Sequence, residues 1–200
     1  MIRIISADDY VTSVWSGGTT TQLAIAPADA VYADRTFLWR VSSATVDLEE
    51  SEFTSLPDYI RLISTLEGTI ALSHNGGAWF PLRPTEVHRF DGADQTRSRG
   101  RCRDFNLMLR KGAADGEMEY LRLCDEQRRL IARGTTASGK TAQVALVYCA
   151  EGCLTVLHGG ETAVLRAGET ALCDGAEDLT LAAGKLPAGA MYCVIRTLSF

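Results

Sequence analysis

The chain has 200 residues, 46% of them hydrophobic, which is enough to build a core without disulfides or metal. A formal net charge of -5 supplies no general attraction to nucleic-acid phosphates or anionic lipid, so neither nucleic acid nor membrane is expected as a partner. The longest apolar run, residues 144–150, is far short of a bilayer span, and Asp8 and Asp9 follow the start without an export-type apolar region. A soluble, cytoplasmic protein is expected.

In chain order, short segments rich in Val, Ile, Leu, Thr and aromatics alternate with Gly, Pro, Asn and Asp, and predict strands over 37–46, 59–66, 69–73, 104–110, 144–149 and 191–198. That rhythm is all-β, a sandwich or jelly roll with little helix. The best helix candidate is 125–132, while 118–123 just before it reads equally as a strand. The six cysteines, Cys102, Cys124, Cys149, Cys153, Cys173 and Cys193, are scattered without zinc-ligand spacing and read as reduced thiols. The alternation Arg97, Arg99, Arg101, Arg103 reads as a strand edge guarded by charge rather than a nucleic-acid surface.

The landmarks repeat. Glu67-Gly68 aligns with Glu151-Gly152, and His74 with His158. After a one-residue slip, Glu86 aligns with Glu169 and Asp91-Gly92 with Asp174-Gly175. So many shared turns predict two tandem lobes made by internal duplication, residues 1–112 and 113–200, with the seam in 112–116. His74 and His158, beside matching glycines, are expected in solvated hairpins.

A Glu-Gly turn, strand, turn and strand, repeated, resembles the cupin fold, so the expected architecture is a bicupin. Metal-binding cupins place His, His and Glu ahead of the closing glycine, and a third His later. With Gly68 as that glycine, the Glu position is Arg61 and the His positions are Pro57 and Ser55. With Gly152, they are Ala145, Thr141 and Gly139. Only His88 stands where a late His would sit, so no metal and no cofactor are expected. A guanidinium in place of a carboxylate reverses the charge of the pocket floor and predicts an anionic ligand.

Three stretches sharpen the resemblance. Trp15-Ser16-Gly17-Gly18-Thr19-Thr20 is similar to the opening motif of the HutD/Ves family. Phe37-Leu38-Trp39-Arg40-Val41-Ser42 and Phe53-Thr54-Ser55-Leu56-Pro57 are similar to its central motifs, and Asp104-Phe105-Asn106-Leu107-Met108 to a late one. Strand alternation puts Arg40, Ser42 and Ala44 on one face, and Asp104, Asn106 and Met108 on one face of theirs. If that face lines a cavity, Arg40 and Arg61 supply charge, Ser42 and Asn106 donors and acceptors, and Asp104 orients an arginine. Trp15 and Met108 then form apolar wall. Thr19 and Thr20 present hydroxyl and N–H groups beside permissive glycines, and His88 completes the expected ligand-binding set.

The resemblance implies a regulatory small-molecule binding protein linked to histidine utilisation, with a small anionic metabolite such as N-formylglutamate or urocanate as ligand. The alternative is a metal-independent isomerase or hydrolase on the same barrel, and a third reading is a protein-binding adaptor without a cavity. Catalytic residues form no recognisable motif, and the oligomeric state, a homodimer included, stays open.

Overall fold

The computed structural model describes residues 1–124, 127–130, 141–175 and 177–198. The strands in chain order are β1 (Ile2–Ile5), β2 (Val11–Trp15), β3 (Gly18–Ala26), β4 (Trp39–Val46), β5 (Glu50–Glu52), β6 (Tyr59–Glu67) and β7 (Ile70–His74). There follow β8 (Phe80–Leu82), β9 (His88–Asp91), β10 (Thr96–Arg99), β11 (Cys102–Arg110), β12 (Ala114–Leu123), β13 (Gln127–Leu130) and β14 (Thr141–Glu151). The last are β15 (Cys153–His158), β16 (Glu161–Arg166), β17 (Thr170–Asp174), β18 (Leu179–Ala183) and β19 (Ala188–Leu198). Among the described residues helix is confined to single turns at Ala7–Asp9 and Tyr32–Asp34, so the all-β expectation holds.

The helix expected over 125–132 does not form where the chain is described. Gln127–Leu130 pairs antiparallel with β18, because its neighbours offer an open ladder that outweighs weak helix propensity. The remainder of that stretch lies outside the described residues.

The chain divides into two compact units, Tyr10–Ala113 and Met1–Asp9 with Ala114–Phe200. The N-terminal nine residues therefore depart from the expected 1–112 lobe. The reason is edge pairing: Ile2 to Ile5 run antiparallel to β17, and Ile2 and Ile4 pack on the C-terminal core.

Each unit contains two sheets. In the first unit the orders are β2-β3-β4-β11-β6-β9 and β5-β10-β7-β8. In the second, read from the other edge, they are β12-β19-β14-β17-β1 and β13-β18-β15-β16. The run β4-β11-β6-β9 thus recurs as β12-β19-β14-β17, and all of the smaller sheet recurs too. The duplication is written in the topology.

The two interiors are filled differently. The second unit packs Leu121, Val147, Leu154, Val156, Leu179 and Leu181 with other buried apolar residues in one continuous cluster. The first splits its apolar core between Ile63, Ile70, Leu72, Phe90 and neighbours on one side, and Phe37, Leu56, Tyr59 and Met108 on the other. Arg40, Ser42, Arg61, Asp104 and Asn106 are buried polar side chains of the same unit.

Candidate functional site

Three rows of side chains cross the large sheet of the first unit, centred on β11. Met108 stands between Arg40 of β4 and Arg61 of β6; Asn106 between Ser42 and Ile63; Asp104 between Ala44 and Thr65. Alternation points all three rows to the same side, while Phe105, Leu107 and Leu109 on the opposite face are fully buried. The polar rows border a cavity of about 280 Å³, near the small end of ligand pockets.

Arg40 is held in place. Its Nε–H donates to Gln22 Oε1 at 2.8 Å and a terminal N–H to Ser42 Oγ at 3.0 Å. The guanidinium groups of Arg40 and Arg35 both stack on the Tyr32 ring, at 4.3 and 4.1 Å from its centroid. Arg61 is 6% exposed, donates only a long 3.3 Å bond to the Thr54 carbonyl, and leaves its Nε without a partner. Phe53 and Phe90 face its guanidinium at 4.9 and 5.2 Å. Burial pulls Arg61 down to about 10 and lowers Arg40 as well, yet both stay cationic at neutral pH.

Asp104 does not orient either arginine as expected. Among the described residues neither Arg40 nor Arg61 forms an ion pair; Asp104 Oδ1 instead accepts the Ala44 N–H at 2.8 Å. Burial pushes Asp104 up to about 6, against the pull of that N–H and of the two guanidinium groups. Asn106 Oδ1 is buried without a partner. The site therefore holds two buried cations without an ion-pair contact and an acceptor, Asn106 Oδ1, without a donor.

Of the expected residues, Trp15, Thr20, Arg40, Ser42, Arg61, Asp104, Asn106 and Met108 line the cavity. Thr19 and His88 do not. Thr20 pairs with Ser13, which also lines it, so alternation turns Thr19 and its partner Val14 to the other face. Gly18 serves strand packing instead of ligand approach, since a Cβ there would run into the Thr45 carbonyl.

His88 is drawn into a pair with His74. Their Nε2 atoms are 2.9 Å apart, and His74 Nδ1 meets Thr96 Oγ1 at 2.8 Å. Phe80 and Phe90 flank both rings, and burial lowers both imidazoles below their ordinary range. His158 is buried and bonded to the Asp174 carbonyl at 2.9 Å, so neither repeated histidine sits in a solvated hairpin.

Sequence reasoning missed Tyr32 and the wall Ser51, Glu52, Phe53 and Thr54. Phe53 and Thr54 lay inside a motif stretch, but nothing local marked them as facing inward. Tyr32 sits in a single helical turn whose position only the fold sets.

The second unit does not repeat the polar face among its described residues. Through the repeat and the matching registers, Arg61, Asn106 and Asp104 correspond to Ala145, Tyr192 and Ala190, all in the apolar cluster. A divalent metal does not fit either: Arg61 stands at the carboxylate position, and among the described residues no His, Cys, Asp and Glu cluster could hold a metal.

A family model described as HutD matches residues 7–188. The chain belongs to the HutD family. No curated protein matches it. Two solved structures align over 100% of both chains: a conserved protein of unknown function from Pseudomonas aeruginosa PAO1, at 25% identity and TM-score 0.80, and HutD from Pseudomonas fluorescens SBW25 in a formate condition, at 26% and 0.75. Oxalate decarboxylase from Bacillus subtilis matches 95% of this chain and 76% of its own at TM-score 0.67. At 6% identity that likeness is one of fold alone. With a cupin barrel protein also among the matches, the architecture of this HutD-family chain is a bicupin.

Proposed function

We propose that this HutD-family protein is a cytoplasmic, metal-free binder of a small carboxylate, with a regulatory role linked to histidine utilisation. The observation that carries this reading is the pair of buried guanidinium groups, Arg40 and Arg61, which border a cavity and form no ion-pair contact among the described residues. A buried cation without a hydrogen-bonded anion is costly, and an anionic ligand accepting charge-assisted hydrogen bonds relieves that cost. Trp15, Tyr32, Phe53 and Met108 give the remainder of the ligand an apolar wall. Family membership supports the pathway link, and the formate condition of the Pseudomonas fluorescens structure makes formate the smallest probe to try. No helix among the described residues is long and apolar enough to cross a membrane, which is consistent with work in the cytoplasm.

The test is calorimetry with formate, urocanate and N-formylglutamate. At least one should bind saturably, and Arg40→Ala or Arg61→Ala should weaken it roughly 10- to 100-fold, the worth of a charged hydrogen-bonded pair. No heat with any of the three defeats the proposal.

The adaptor reading needs a filled barrel and is disfavoured by the cavity. The enzyme reading draws its support from Asp104, a cavity carboxyl that titrates near neutrality as a general acid or base must. His88 and Glu86, the other sequence candidates for acid–base work, lie off the cavity lining. Turnover of a small anion lost in Asp104→Asn would favour catalysis over binding.

A further inference from the structure

The arginines and the Asp104 carboxylate stand in different rows of the cavity. The donor end consists of Arg40 and Arg61, flanking Met108. Because Arg40 is tied to Ser42 and Gln22, its guanidinium lies against the middle row. The acceptor end is on β11: Asn106 Oδ1, buried without a partner, and Asp104 one row further. Successive rows are two residues apart, about 7 Å along a strand. A carboxylate held by the arginines therefore places the other end of a compact ligand against a carboxylate, where a second anion is repelled.

We propose that the cavity selects an amphoteric ligand, a carboxylate joined across about 7 Å to an N–H donor or cation, and that Asp104 is the residue that reads the donor end. This rests on the carboxylate reading and narrows it: a dicarboxylate of the same length is the wrong ligand. The other charged or titratable groups facing Asp104 are Arg40, Arg61 and Cys102, and burial holds the Cys102 thiol neutral at about 12. None of them replaces Asp104 as an acceptor. Asn106 serves both ends, since its amide can accept where Asp104 is out of reach.

The experiment compares three probes that share a four-methylene spacer: δ-aminovalerate, adipate and hexanoate. Affinities are measured by calorimetry or ligand-observed NMR near pH 8, where Asp104 is ionised. The expected order has δ-aminovalerate at least tenfold tighter than adipate, with hexanoate between them. Asp104→Asn, which keeps the oxygen for the Ala44 N–H, should bring the amine and dicarboxylate within threefold, while Arg61→Ala weakens all three together. A thermal melt checks that each variant is folded. Equal binding of the three by wild-type protein, or a preference that survives in Asp104→Asn, overturns the proposal and leaves the carboxylate reading standing. Absence of binding by all three, with formate, urocanate and N-formylglutamate also silent, removes both.

Discussion

Arg61 and Asp104 are kept in the barrel against the interest of stability. Arg61 is desolvated without an ion pair, so Arg61→Met, which fills similar volume without charge, should leave the unfolding free energy unchanged or higher while weakening ligand binding as Arg61→Ala does. Urea denaturation and calorimetry on the same variant check the two halves. Asp104 contributes a pH dependence of known sign. Its carboxyl titrates near 6 in the folded chain against an ordinary 3.8, so the folded state binds the proton more tightly than the unfolded state. Its favourable contribution is complete below about pH 4 and is lost as pH rises to about 6, by at most on the order of 3 kcal/mol. Wild type should therefore lose stability relative to Asp104→Asn across that window and run parallel to it above. Parallel unfolding curves from pH 4 to 7 would contradict this assignment.

At the scale of elements, the repeated Glu-Gly turns set the geometry of both barrels. Gly68 and Gly152 lie at the same point of the repeat with φ of 79° and 77°, in the left-handed region. A Cβ at Gly68 would run into the Arg101 carbonyl, and at Gly152 it would stand 2.7 Å from that of Pro187. Gly76 has a similar φ of 72° but open space around it. Alanine at Gly68 should thus cost more than about 2 kcal/mol, and at Gly76 about 1 kcal/mol, measured by chemical denaturation. The arginine alternation runs from β10 through Arg101 into β11, interior strands rather than the expected sheet edge, and is matched by acids. Arg97 and Arg99 pair with Glu50 at 2.8 and 2.9 Å, Arg101 with Glu49 at 3.1 Å, and Arg103 with Glu67 at 3.2 Å. The strand expectations over 59–66, 69–73 and 104–110 fall on β6, β7 and β11 within two residues, because alternation of burial along a strand is a local property that sequence carries.

Across the whole molecule, all six cysteines are free: Cys102, Cys149, Cys173 and Cys193 are buried, and Cys124 and Cys153 exposed. Burial pushes the Cys102, Cys149 and Cys173 thiols up to about 12 and Cys193 further. Native protein should therefore show two fast-reacting thiols with a chromogenic disulfide reagent and six after denaturation; a third fast thiol would contradict the burial. What the amino-acid sequence determined by itself was the all-β class, the duplicated punctuation and most of the cavity face. Each of these rests on residue type and short spacing: glycine at turns and apolar alternation. Only the tertiary structure decided the rest. It moved β1 to the second unit, gave His88 to His74, and turned Thr19 away from the cavity. It also left Arg40 and Arg61 without an ion-pair contact by tying Asp104 to Ala44. Those outcomes depend on which strands become neighbours and on which face each register presents, and no stretch of sequence contains the partner.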